Sequence, residues 1–136
     1  MCAASNLRRA SRAVSQIYNE IMRPTGLLGT QFTLLVVLCL AGSVNISRLA
    51  HILVMNRTTL GRNIKPLEKK GLVKIFQGED RRRRMITFTG KGQKALSKAL
   101  PLWEKAQENV VNQLGADRFA RMLSDLDQTV SLFRPA

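Results

Sequence analysis

A single histidine, two cysteines and nine acidic residues among 136 each close off a class of chemistry. With His51 alone, neither an HExxH pair nor a histidine cluster can form, and neither Cys2 nor Cys39 has a partner at CxxC spacing. No metal site and no cofactor is therefore expected. Two cysteines are also too few to staple a scaffold of this length with disulfides. The segment Gly26-Leu27-Leu28-Gly29 lacks the Lys-Ser/Thr ending of a phosphate-binding loop, and no motif groups a Ser, a His and an Asp for nucleophilic catalysis. An enzyme would have to assemble its site from one histidine and scattered carboxylates, so no catalytic residue is assigned. The longest apolar run, Leu34 to Ala41, is eight residues, whereas about 20 are needed to cross a bilayer. No membrane association is expected. Arg8 and Arg9 precede any apolar stretch, which is not the order of a secretory signal, so the expected location is the cytoplasm. No Pro/Gly/Ser-rich linker and no internal repeat divides residues 1–136, which read as a single domain.

Apolar material and positive charge are plentiful. Hydrophobic residues make 45% of the chain and the mean hydropathy is -0.08, enough for a packed core and too much for wholesale disorder. Lys and Arg number 22, giving a formal charge of +13 and a pI near 11.1. A polyanion is the partner such a balance fits. Residues 48–98 hold seven Arg and seven Lys against only Glu68, Glu79 and Asp80. The excess thus sits mid-chain, which favours a folded basic surface over a basic tail.

Apolar periodicity then sets the elements. Leu7, Val14, Ile17, Tyr18 and Ile21 form one stripe of a helix over about 6–22, ended by Pro24 and Gly26. A second helix, Thr30 to Leu40, is apolar nearly all round, as a central buried helix would be, and Cys39 is expected in that core. Asn45 and Asn56 are good N-caps for two short helices, the first with Ile46, Leu49, Ala50 and Leu53 on one face and the second with Leu60, Ile64 and Leu67. Gly71 closes the second of these. Two strands follow, Leu72 to Phe76 and Met85 to Thr89, around a polar loop. Thr89 caps a long helix to about Val111, containing Pro101. After Gly115 a last helix carries Phe119, Met122, Leu123, Leu126, Val130 and Phe133 on one stripe. The fold class is mainly α with a small β-wing.

Two helices joined by a tight turn, the second with polar and basic residues outward, is the arrangement in which the second helix enters a DNA major groove. Opposite Leu60, Ile64 and Leu67 lie Thr58, Arg62, Lys65 and Lys69, and Arg57 and Thr59 stand at the helix start. Arg can grip a guanine edge bidentately and Thr can offer a hydroxyl or methyl. The plainer alternative is a solvated helix face. The hairpin Asp80, Arg81, Arg82, Arg83 and Arg84 crowds four cations together, a cost that contact with phosphates or with a narrow minor groove would offset. The plainer alternative there is a solubilising charge run. By strand alternation Arg82 and Arg84 point one way and Arg81 and Arg83 the other.

The element order resembles that of the MarR (multiple antibiotic resistance regulator) family of bacterial winged-helix regulators, over essentially the whole chain. The most specific match is the wing signature Asp-x-Arg, five residues, Leu-Thr, present here as Asp80, Arg82 and Phe88-Thr89 with Phe for Leu. Further matching text is Leu67-Glu68-Lys69-Lys70-Gly71-Leu72-Val73 and Thr89-Gly90-Lys91-Gly92. The resemblance implies a winged helix-turn-helix lobe over about 28–90 and a dimerisation layer made by helices over about 5–23 and 90–134. Leu7, Val14, Ile17, Phe119, Met122, Leu126, Val130 and Phe133 become its candidate interface residues. It also implies a homodimer on a pseudo-palindromic operator, most often as a repressor, released by a small-molecule effector or by cysteine oxidation. Cys2, about two residues upstream of the family's sensing position and near Arg8 and Arg9, is the candidate redox sensor. The expected partners are double-stranded DNA, a second copy of the chain and a small effector. Charge alone would equally allow a nucleic-acid binder without sequence preference, and an enzyme of unstated class is the most distant reading.

Overall fold

The computed structural model describes residues 1–134. The first stripe becomes α1, Ala3–Met22, whose last residue is fully buried. Pro24 sits in a 3-10 turn, Arg23–Thr25, and Gly26, at φ 73, turns the chain into α2, Gly29–Ala41. Only glycine takes that left-handed conformation without steric cost. Leu34, Leu35 and Leu38 of α2 are essentially inaccessible and form the centre of the lobe.

The two asparagines cap as their positions suggest. Asn45 Oδ1 accepts from Ser47 N at 2.7 Å to start α3, Ile46–Ile52, and Asn56 Oδ1 accepts from Thr59 N at 2.7 Å to start α4, Arg57–Lys69. Each satisfies an N–H that the helix itself cannot pair, an effect of about 1 kcal/mol. Pro66 lies inside α4 and withholds one helical hydrogen bond, yet the helix continues to Lys69. Its end is a Schellman motif, with Gly71 N bonded to Glu68 O and Leu72 N to Leu67 O, both at 2.9 Å, and Gly71 at φ 74. Leu67 and Leu72 are both buried, which supplies the hydrophobic contact that accompanies this cap.

The sheet has three antiparallel strands in the order β1-β3-β2: β1 Val44–Asn45, β2 Val73–Gln77 and β3 Arg84–Phe88. In the hairpin Val73 pairs with Phe88 and Gln77 with Arg84. The two-residue β1 has no sequence signature, because two residues cannot display a period, and it was not expected. Thr89 caps α5, Gly90–Leu114, which runs without interruption through Pro101. Gly115 separates it from α6, Ala116–Phe133.

The core joins α2, α3, α4 and β3 through Leu38, Leu49, Leu60, Leu67 and Ile86, and α5 closes it with Ala99. Trp103 of α5 stacks on Phe32 of α2 with ring centroids 5.8 Å apart and 19° between planes. One expectation fails here. Cys39 is exposed, as is its neighbour Leu40 at 83%: both occupy the last turn of α2, where Cys39, only about 40° round the helix from Leu35, lies past the end of the core and Leu40 is on the far side of the helix. A helix apolar all round in sequence still presents only part of its circumference to a core this small. Among the described residues no single helix is long and apolar enough to cross a membrane.

Candidate nucleic-acid interface

The apolar face of α4, with Leu60, Ile64 and Leu67 buried, turns Arg57, Thr58, Thr59, Arg62, Lys65 and Lys69 outward, and all six are exposed. Arg57, Thr58, Arg62 and Lys65 line one groove of about 580 Å³, and Arg84 from the start of β3 lines it too. Helix and hairpin are thereby joined on one surface. Thr59 and Lys69 do not line that groove: Thr59 is exposed about 100° round the helix from Leu60, and Lys69 is a turn beyond Lys65.

The hairpin tip is ordered by its own backbone. Gly78 N donates to Arg83 O at 3.0 Å, Arg83 N donates to Asp80 O at 2.9 Å, and the Asp80 carboxylate accepts from Arg82 N at 3.1 Å. Asp80 therefore holds the turn in the manner of an Asx turn. Arg81, Arg82, Arg83 and Arg84 are all exposed. Arg83 lines a second hollow with Glu79, Asp80 and Phe76, on the opposite side of the hairpin from the groove lined by Arg84, so these two neighbouring cations face different ways.

One groove residue escaped the sequence reading. Gly61 sits mid-helix on α4 with nothing within 4 Å of where a Cβ would be, so no packing contact requires it. A glycine in a helix interior costs about 0.5–1 kcal/mol relative to alanine. That unexplained cost was the available signal, and the open backbone it leaves lets a partner approach closely.

Away from this surface, a cleft of about 660 Å³ opens between α1, α2 and α5 and reaches the turn between α3 and α4. Val14, Tyr18, Thr33, Met55, Trp103 and Gln107 are among the residues lining it, and none of its lining side chains is charged. Tyr18 Oη donates to Gln107 Oε1 across the cleft, and burial raises the phenol above its usual 10.0. Met55 lies in the turn itself, and Asn63 of α4 donates to its sulfur at 3.7 Å. Between Leu53 and Met55, Val54 holds a φ of 55, costly for a β-branched side chain.

On the remaining side, α6 has no buried residue. Leu123, Leu126 and Val130 are 43%, 38% and 45% exposed, and Leu7 of α1 is 45% exposed. Leu7, Met122 and Leu126 share one groove. Val14 and Ile17 are half-buried between α1 and α5, Phe119 is half-buried, and Phe133 projects at 79%. Cys2 is exposed at the N-cap of α1, and its carbonyl accepts from Asn6 Nδ2 at 2.9 Å.

A family model described as MarR family matches residues 25–83. Over the whole chain the similarity is to a transcriptional regulator of M. tuberculosis, MosR, solved in complex with DNA: 38% identity, a TM-score of 0.85, and coverage of 98% of this chain and 99% of that one. The chain belongs to the MarR family. A transcriptional repressor, CouR, solved on a 23-mer DNA duplex, is similar at 25% identity and a TM-score of 0.84, with 94% and 92% of the two chains covered. YwoH, an HTH-type transcriptional regulator of Bacillus subtilis (strain 168), is 30% identical over 88 residues, 65% of this chain. The match spans 64% of that relative's length. The residues of the MarR family match run from the 3-10 turn to the wing tip, so they contain both α4 and the turn that Asp80 holds. The fold is the winged-helix fold of MarR-family regulators, and the family is one of transcriptional regulators.

Proposed function

We propose that this MarR-family regulator is a homodimeric repressor that binds a pseudo-palindromic operator in double-stranded DNA and leaves it when a small effector binds or a cysteine is oxidised. The observation that carries the reading is the groove in which Arg57, Thr58, Arg62 and Lys65 of α4 meet Arg84 of the wing. In each subunit α4 enters a major groove, where Arg62 and Thr58 read base edges and Lys65, Lys69, Arg57 and Thr59 contact edges or flanking phosphates. Arg81, Arg82 and Arg83 follow the adjacent backbone and minor groove. The DNA-bound relatives, MosR and CouR, support a DNA partner for this surface.

The dimer rests on α6 and on the start of α1. A helix of 18 residues with an apolar stripe and no buried side chain is stable only when a second surface covers that stripe, and a two-fold copy supplies a self-complementary one. Two copies then set their α4 helices about one helical turn of DNA apart, roughly 10 base pairs. The effector takes the uncharged cleft beside Trp103, whose wall includes the turn that leads into α4. Cys2 is the accessible thiol at the start of α1 for an oxidative route. A repressor of chromosomal DNA acts in the cytoplasm.

The test is fluorescence anisotropy at several salt concentrations, using a duplex selected by the protein from random-sequence DNA and an unselected duplex of equal length. The proposal expects at least a thousandfold preference for the selected duplex, within the range of specific regulators. Equal affinity for both duplexes, with a steep salt dependence, would mean a binder without sequence preference.

A further inference from the structure

The C-terminal turn of α4 is tied to α5 and to the connection between α1 and α2. Thr89, the N-cap of α5, donates its hydroxyl proton to Gly71 O at 2.6 Å and accepts Gly92 N on the same oxygen at 3.0 Å, while Thr89 N donates to Leu72 O at 3.0 Å. Gly71 and Leu72 are the two residues that close the Schellman cap of α4. A single hydroxyl therefore serves the first turn of α5 and the end of α4 together. The approach is close enough that a Cβ on Gly92 would lie 2.1 Å from Leu72 O, so only glycine fits. On the other side Lys70 Nζ donates to Gly26 O at 3.2 Å, just past the 3-10 turn that joins α1 to α2.

We propose that Thr89 is a positioning residue for DNA recognition, and that the Thr89, Gly71 and Gly92 joint carries the attitude of α5 to the base-reading end of α4. The argument is one of leverage. Arg57 stands fourteen residues before Gly71, roughly 21 Å along the helix axis at 1.5 Å per residue. A tilt of about 10° at the joint moves that end by roughly 3–4 Å, against the few tenths of an ångström over which a hydrogen bond to a base edge keeps its strength. The buried face of α4 holds it to its own lobe, which Ala99 and Trp103 attach to the middle of α5; the joint adds the direct tie between the end of α4 and the start of α5, and α5 leads into α6, on which the dimer rests. This proposal rests on the two-half-site reading above.

The experiment compares wild type with Thr89→Val, Thr89→Ser and Thr89→Asp. Valine keeps the shape and loses the hydroxyl. Serine keeps both hydrogen bonds. Aspartate keeps the N-cap for Gly92 but has no proton for Gly71, so it separates the joint from the helix cap should the valine protein not fold. Binding is measured on the wild-type-selected duplex, on random duplex, and on selected duplexes with one base pair added or removed between half-sites. Thr89→Ser should match wild type. Thr89→Val and Thr89→Asp should lose at least tenfold on the selected duplex, change little on random duplex with an unaltered salt slope, and show a smaller penalty for altered spacing. A merely structural role would lower the thermal midpoint, weaken both duplexes alike and leave the spacing penalty intact, and that result overturns the proposal. Wild type with no preference for the selected duplex contradicts the operator reading instead and removes the basis on which the joint matters.

Discussion

Arg62 of α4 and Arg84 of β3 line the same groove, although they belong to different elements of the chain. Arg84 pairs with Gln77 at the turn end of the hairpin, and with Ile75 it lines the groove on the α4 side of the sheet. Their roles should nevertheless separate. Arg62→Ala should cost about 1–3 kcal/mol on the selected duplex and much less on random DNA, as for a base-edge contact. Arg84→Ala should weaken both duplexes and lower the salt slope by about one, as for a phosphate contact. Arg82→Ala should also weaken both, with a larger loss on A·T-rich flanks. Anisotropy titrations on the two duplexes measure all three.

Gly61 gives a prediction in which stability and binding move in opposite directions. A Cβ there meets nothing within 4 Å, so Gly61→Ala should stabilise the fold by about 0.5–1 kcal/mol. The same methyl group enters the floor of the DNA-facing groove and should weaken binding to the selected duplex. Thermal melts and anisotropy together decide it, and a protein that is both stabler and a better binder would contradict the close approach.

The uncovered stripe on α6 predicts a dimer. Light scattering at micromolar concentration should give twice the 15.2 kDa chain mass. Leu126→Asp places a charge in that stripe and should yield monomer that still binds one half-site weakly. A wild-type monomer would remove the two-half-site model.

The cleft should prefer uncharged ligands. Its lining carries no charged side chain, so burying a carboxylate there would leave it without a counter-ion. Trp103 is the only tryptophan of the chain and lines the cleft, so its fluorescence should report occupancy directly. Neutral aromatic compounds should change that signal at lower concentrations than their carboxylate analogues. Tyr18 is a donor at neutral pH, as any phenol is, and burial raises it further above its usual 10.0. Since its folded value is the higher one, its contribution to stability is intact below about 10 and falls as pH rises through that raised value. Tyr18→Phe should flatten the alkaline limb of the stability profile.

Both thiols are open to solvent, so maleimide should label Cys2 and Cys39 in the folded protein. Slow labelling of Cys39, as for a core residue, would contradict the exposed last turn of α2. If oxidation at the start of α1 releases DNA, mild peroxide should release wild type and Cys39→Ser but not Cys2→Ser.

Much of this was legible because local chemistry and burial agreed. Asn45, Asn56 and Thr89 cap the helices that their spacing implied, and Leu60, Ile64 and Leu67 alone fix which face of α4 is outward. What escaped were features decided by tertiary packing. Cys39 read as core because α2 is apolar around its circumference, and only tertiary packing against Leu34, Leu35 and Leu38 decides how far along α2 the core extends. The strand β1 exists because Val44 and Asn45 happen to lie beside Ile86 and Met85. Asp80 was grouped with the DNA-facing wing, and its carboxylate is engaged with the wing's own turn. The tie between Thr89 and Gly71 spans two elements and has no periodic trace, although both residues stood in the matching family text.

Hydroxyl-radical footprinting of the wild-type protein on its selected duplex tests the central claim most directly. Two protected segments of similar sequence, inverted with respect to each other and centred about 10 base pairs apart, are the predicted result. A single protected segment, or uniform protection without boundaries, would contradict a two-fold pair of α4 helices reading two half-sites.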